Sequence, residues 1–122
     1  MGVPSDAASI TEASAAAQSW LALVDQRKYA DSWNGAAKAF QVATTRDKWI
    51  QAVSGVRGPL GDLVSRQQAS ATYRTSLPAA PDGKYVVIQF NAVFANKAQA
   101  VETVTPMQQD DGAWRVSGYY IR

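Results

Sequence analysis

A chain of 122 residues with 47% apolar and 18% charged residues can bury one core without staples and has the balance of a single globular domain. Its 12 basic and 10 acidic residues are scattered and leave a net charge of +2, with no basic run or stripe of the kind that binds nucleic acid. It has no cysteine and no histidine, which excludes disulfides, thiolate nucleophiles, a Ser-His-Asp triad, a histidine base and Cys/His metal sites.

No carboxylate cluster has calcium-loop spacing, so neither a metal nor another cofactor is expected. No segment is apolar for the ~20 residues that a bilayer span needs. The start, Met1 to Asp6, lacks the apolar stretch of a signal peptide. Asp6 stands where a myristoylation signal has Ser or Thr. Met1-Gly2 reads as a start placed on a mature chain, because the Ala/Ser-rich residues after it suit a segment just past a cleavage site. Residues 1–8 are expected to be flexible, and residues 9–122 to form one domain, with helices over about 9–57 and a sheet over about 64–122.

Ser9-Ile10-Thr11-Glu12 fits a capping box. Ala13, Ala17, Trp20, Leu21 and Val24 then recur at helical spacing, and the helix should end near Gln26 to Lys28. A second short helix is expected from about Ala30 to Phe40, with Trp33, Ala37 and Phe40 on one face. Thr44 or Thr45 can cap a third carrying Trp49, Val53 and Val56, stopped by Gly58-Pro59. Large aromatics on the buried faces of short helices are core more often than ligand boxes.

Leu63 to Ser76 leans towards strand, most clearly from Ala69 to Thr75, and residues 78–83 form a turn-rich connection. From Tyr85 the alternation is strong: Val86, Ile88, Phe90, Ala92 and Phe94 are all apolar and should face the core. A two-residue turn at Asn96-Lys97 would place Met107, Thr105, Thr103 and Val101 opposite Val86, Ile88, Phe90 and Ala92. A primed turn at Asp111-Gly112 would set Val116, Gly118 and Tyr120 opposite Met107, Thr105 and Thr103, with Trp114 on the same side. Pro106 is awkward in a central strand, and a bulge there would leave the facing of Met107 open.

Several phrases occur together in order: Trp20 to Asp25, Pro81 to Phe90, Phe94 to Lys97, Glu102 to Thr105 and Gly112 to Ile121. From about Ala13 to Arg122 the chain resembles the bacterial domain-of-unknown-function family 4019. That resemblance implies a cystatin-like or nuclear-transport-factor-2-like α+β fold, with N-terminal helices on the concave face of a curved four-stranded antiparallel sheet. It also implies a periplasmic or secreted protein. It carries no catalytic residues over.

On this register the inward face offers no Asp, Glu or Lys. Its polar tips are Thr103, Thr105, Tyr120 and the Trp114 indole, which could form a pocket for a small apolar ligand, with Gly118 leaving room. A weak isomerase or lyase would need a carboxylate base from elsewhere, such as Asp25, Asp31 or Asp62, residues that more often cap helices or sit in water. The outward face carries Tyr85, Val87, Val104, Tyr119 and Ile121, enough apolar surface to suggest a homodimer through the sheet. The leading expectation is a non-enzymatic, envelope-associated domain acting by self-association or partner binding; the alternative is a small-ligand binder or weak isomerase or lyase.

Overall fold

A computed structural model describes the backbone of residues 4–122 and side chains from Asp6 onward. The expected flexible stretch over 1–8 and the reading of Met1-Gly2 fall wholly or partly outside these residues. Four helices come first: α1 (Pro4–Asp25), α2 (Tyr29–Asn34), α3 (Lys38–Ala43) and α4 (Arg46–Leu60). Four strands follow: β1 (Leu63–Arg74), β2 (Tyr85–Phe94), β3 (Lys97–Gln108) and β4 (Trp114–Ile121). They form one antiparallel sheet in the order β1-β2-β3-β4, and helix α1 packs across all four strands. The architecture is α+β, with the helices on one face of an open sheet.

Helix α1 presents the expected stripe, and Ala13, Ala17, Trp20, Leu21 and Val24 are all buried. It begins upstream of Ser9, so Ser9 lies inside the helix and does not cap it. Arg27, at φ 63°, turns the chain out of α1. The expected single helix over 30–40 is two helices separated at Gly35 to Ala37. The break lets the Ala37 N–H reach the Val116 carbonyl on β4 at 2.8 Å. Thr45 caps α4, its hydroxyl accepting from the Lys48 N–H at 3.2 Å. Helix α4 continues through Pro59 to Leu60, and Val56 lies 46% exposed instead of joining the core.

The helices meet at Ser32, which is fully buried. Its carbonyl accepts from Trp20 Nε1 at 2.8 Å and its hydroxyl from Trp49 Nε1 at 2.9 Å. Buried indoles need such partners. Trp20, Phe40, Trp49 and Tyr119 form an aromatic cluster between helices and sheet, with ring centroids 4.9–6.4 Å apart.

The sheet corrects the predicted register. On β2 the even-numbered set is buried as the alternation requires. Its partners on β3 are shifted by one: Ile88 pairs with Val104, Phe90 with Glu102 and Ala92 with Ala100. The turn lies at Ala95-Asn96, since Phe94 pairs with Lys97, and an irregularity between Ala92 and Phe94 adjusts the ladder. The turn is anchored to the end of α4. Asn96 N–H donates to the Leu60 carbonyl at 2.9 Å, Asn96 Nδ2 to the Pro59 carbonyl at 3.1 Å, and Ala95 N–H to the Asp62 carbonyl at 2.8 Å. A one-residue slip moves every side chain to the other face. Ala100, Glu102, Val104 and Pro106 therefore face the helices, while Val101, Thr103, Thr105 and Met107 face away.

Between β3 and β4 the predicted pairing holds from Glu102 to Thr105, with Thr103 opposite Tyr120 and Thr105 opposite Gly118. A bulge between Thr105 and Pro106 then shifts it, so that Pro106 pairs with Val116 and Gln108 with Trp114. Pro106 thus stands next to the register shift and not within an uninterrupted ladder. The turn spans more than Asp111-Gly112: Gln109 N–H bonds the Ala113 carbonyl at 2.8 Å, and Gly112 takes φ 87°, which glycine adopts without strain. Trp114 and Val116 point inward as expected. Tyr119, not Tyr120, joins them, because Val104 is its partner.

Candidate functional site

The slipped register places a carboxylate inside the protein. Glu102 is completely buried on the inner face of β3, between Ala100 and Val104. Arg66 of β1 reaches across β2 to it: Nε donates to Oε1 at 2.6 Å and Nη2 to Oε2 at 3.1 Å. The Tyr119 hydroxyl of β4 donates to Oε2 at 2.6 Å. At the end of α1, Asp25 accepts from the same guanidinium, Oδ2 from Nη1 at 2.7 Å and Oδ1 from Nη2 at 3.0 Å. Arg57 of α4 adds a bond from Nη2 to Asp25 Oδ1 at 2.8 Å. Its guanidinium carbon lies 4.7 Å from the Phe94 ring centroid, while its Nε and Nη1 are buried with no hydrogen-bond partner.

Two guanidiniums and two carboxylates balance to zero charge and tie α1, α4, β1, β3 and β4 together. Burial pushes the Asp25 carboxyl towards neutrality, but the Arg66 and Arg57 guanidiniums outweigh it and hold its pKa below the ordinary value of 3.8. Burial also disfavours the Arg66 charge, yet bonds to Asp25 and Glu102 prevail and raise its pKa. Tyr119 is raised above its ordinary 10.0, first by burial and then by the negative charge of Glu102. These contacts hold Asp25 and Arg66 charged and Tyr119 neutral at neutral pH.

A cleft of about 310 Å³ opens onto the Asp25–Arg66 pair, bounded by Gln18 and Ala22 of α1, Gln68 of β1 and Phe90 of β2. A smaller notch of about 210 Å³ lies between α4 and β4, against Trp49, Val53, Val56, Tyr119, Tyr120 and Ile121.

The residues expected to form a pocket do not converge. Thr103, Thr105 and Tyr120 face away from the helices, whereas Trp114 faces them and is 7% exposed. Tyr120 is 53% exposed. The residues expected on the outer face also divide. Val87 lies there, and Tyr85 does too, but it is roofed by the connection before β2, its hydroxyl donating to the Pro81 carbonyl at 2.6 Å. Val104, Tyr119 and Ile121 lie on the inner face. The claim that the inner face carries no acid fails at Glu102. Of the three aspartates considered, Asp25 joins the cluster, while Asp62 forms an exposed pair with Arg27 at 3.4 Å. Sequence reading missed Arg57 and Arg66, and its register turned Glu102 outward. The available signal was Arg57, four residues after Val53 and eight after Trp49, on the buried stripe of α4.

The outer face is bordered by Ala39 of α3 and the connection before β2 near Tyr85, Thr105 and Met107, and is open at the other end. Ser65, Gln67, Asn91, Val93, Gln99 and Val101 border a depression of about 780 Å³ at the end nearest the β2–β3 turn. Among the charges facing outward, Arg74 and Arg115 lie at the opposite end, while Arg122, which exchanges backbone hydrogen bonds with Val101, stands beside this depression. No helix among the described residues is long and apolar enough to cross a membrane. A search of curated proteins finds no match. The family model for proteins of unknown function termed DUF4019 matches residues 16–119, and the chain therefore belongs to that family.

Proposed function

We propose that this is a non-enzymatic binding domain that self-associates through the outer face of its sheet. The observation that carries this reading is the uncovered, amide-lined end of that face, around Gln67, Asn91, Val93, Gln99 and Val101, with Arg122 at its margin. A two-fold contact sets each patch against itself, so like charges repel, whereas amide side chains both donate and accept and suit their own copies.

The non-enzymatic part rests on the buried cluster. Both Glu102 oxygens already accept hydrogen bonds and the group has no exposure, so it offers no substrate a base. An apolar ligand between the layers is disfavoured because Trp20, Phe40, Trp49 and Tyr119 fill that space. The proposal includes an envelope or secreted setting, which the family resemblance supports.

Sedimentation equilibrium tests the association. The native chain is expected to dimerise between ~10 μM and ~1 mM, the range of a modest interface. Asn91→Lys sets two cations against each other and should leave a folded monomer. A native chain that is strictly monomeric at high micromolar concentration, or a variant that dimerises equally well, would overturn the reading.

A further inference from the structure

We infer that the cleft between α1 and β1 is a recognition site for a small molecule bearing a primary carboxamide or ureido group. Its floor is the solvent-facing part of the charged cluster: the Asp25 and Arg66 side chains are 19% and 13% exposed, while Glu102 is sealed. Hydrogen-bond capacity shows what this floor still offers. Of the five N–H groups of Arg66, Nε–H goes to Glu102, both Nη2 hydrogens go to Asp25 and Glu102, and one Nη1 hydrogen goes to Asp25. One Nη1 hydrogen remains. Asp25 Oδ1 accepts twice, from Arg57 and Arg66, but Oδ2 accepts once and keeps a lone pair. The unused donor and the unused acceptor therefore sit on adjacent atoms, 2.7 Å apart.

A primary carboxamide or a urea presents a carbonyl and an N–H side by side on one edge, which is the complement of such a pair. A trans peptide cannot match it, since its carbonyl and N–H point in opposite directions. The zero net charge of the cluster disfavours an ion and suits a neutral ligand. The walls fit the same chemistry. Gln18 and Ala22 share the α1 face that ends at Asp25, and Gln68 pairs with Phe90 on the sheet, so two amides and an aromatic ring border the cleft. Its volume of about 310 Å³ is at the small end of ligand pockets, which restricts the occupant to a compact molecule.

Benzamide is a suitable probe, with N,N-dimethylbenzamide as the control that keeps the ring and carbonyl but lacks the N–H. Amide and side-chain resonances of the full chain are followed by ¹H–¹⁵N NMR. Benzamide should give saturable shifts at Gln18, Ala22, Asp25, Arg66 and Gln68 with a dissociation constant of roughly 1–10 mM, as ligand efficiency allows for so small a probe. The dimethyl compound should bind at least about tenfold more weakly, the cost of leaving a buried polar group unpaired. Ala22→Leu should fill the cleft and abolish the shifts while leaving the unfolding midpoint near that of the native chain. Equal responses to the two amides, no saturation up to the solubility limit, or shifts confined to another surface would overturn the assignment, and the native-chain comparison decides this even if the variant fails to fold.

Discussion

Glu102 is where physical chemistry constrains this protein most tightly. A fully buried carboxylate is tolerated because Arg66 and Tyr119 supply three hydrogen bonds to it. Removing its charge leaves Arg66 in a low-dielectric site with half of its compensation. Breaking a buried pair in this way costs about 3–5 kcal/mol. Losing one hydrogen bond to a charged group costs about 1.5–3 kcal/mol. Glu102→Gln should therefore destabilise the chain more than Tyr119→Phe does, which urea unfolding measures. The reverse order would mean that the tyrosine, through its packing on Trp20 and Trp49, matters more than the charge it caps.

At the scale of elements, the helix caps offer a contrast between sequence pattern and structure. Thr45 satisfies an orphan N–H at the start of α4, and Thr45→Ala should cost about 1 kcal/mol. Ser9 heads a fuller pattern, a capping box with Glu12, but lies within α1. Ser9→Ala should leave thermal stability unchanged or raise it by up to about 0.5 kcal/mol, since alanine is the better helix former. Element types were legible because periodicity is local: the α1 stripe and the β2 alternation needed no knowledge of neighbours. The register was not. Asn96-Lys97 and Ala95-Asn96 are both acceptable turns locally, and the choice is made by the Pro59, Leu60 and Asp62 carbonyls, which bond the turn from a distant part of the chain. That single residue of slip exchanged Thr103 and Thr105 for Glu102 and Val104 on the inner face. The charged cluster was hidden for the same reason. A Glu in a strand or an Arg on a helix reads as a solvated charge until its partners on other elements are known.

At the scale of the whole molecule, the absence of histidine and the balanced cluster together set the pH response. No side chain with an ordinary pKa between about 5 and 8 is present. The Asp25 pKa is lowered on folding, so its contribution to stability is complete above the ordinary carboxylate range and is lost as pH falls through the lower folded value. The Tyr119 pKa is raised, so its contribution is complete below about 10 and is lost as pH rises towards the higher folded value. Arg66 is shifted further upward and stays charged across the same range. The urea midpoint should accordingly be flat from about pH 5 to about pH 9, fall on the acid side as Asp25 protonates, and fall on the alkaline side as the buried phenol is forced to ionise. Ultraviolet absorbance should show Tyr119 ionising later than an ordinary tyrosine and together with unfolding, because its proton lies between two oxygens that burial keeps from water. A midpoint that moved between pH 6 and pH 8 would require a titrating group other than Asp25, Arg66 and Tyr119, and would displace those three as the source of the protein's pH response.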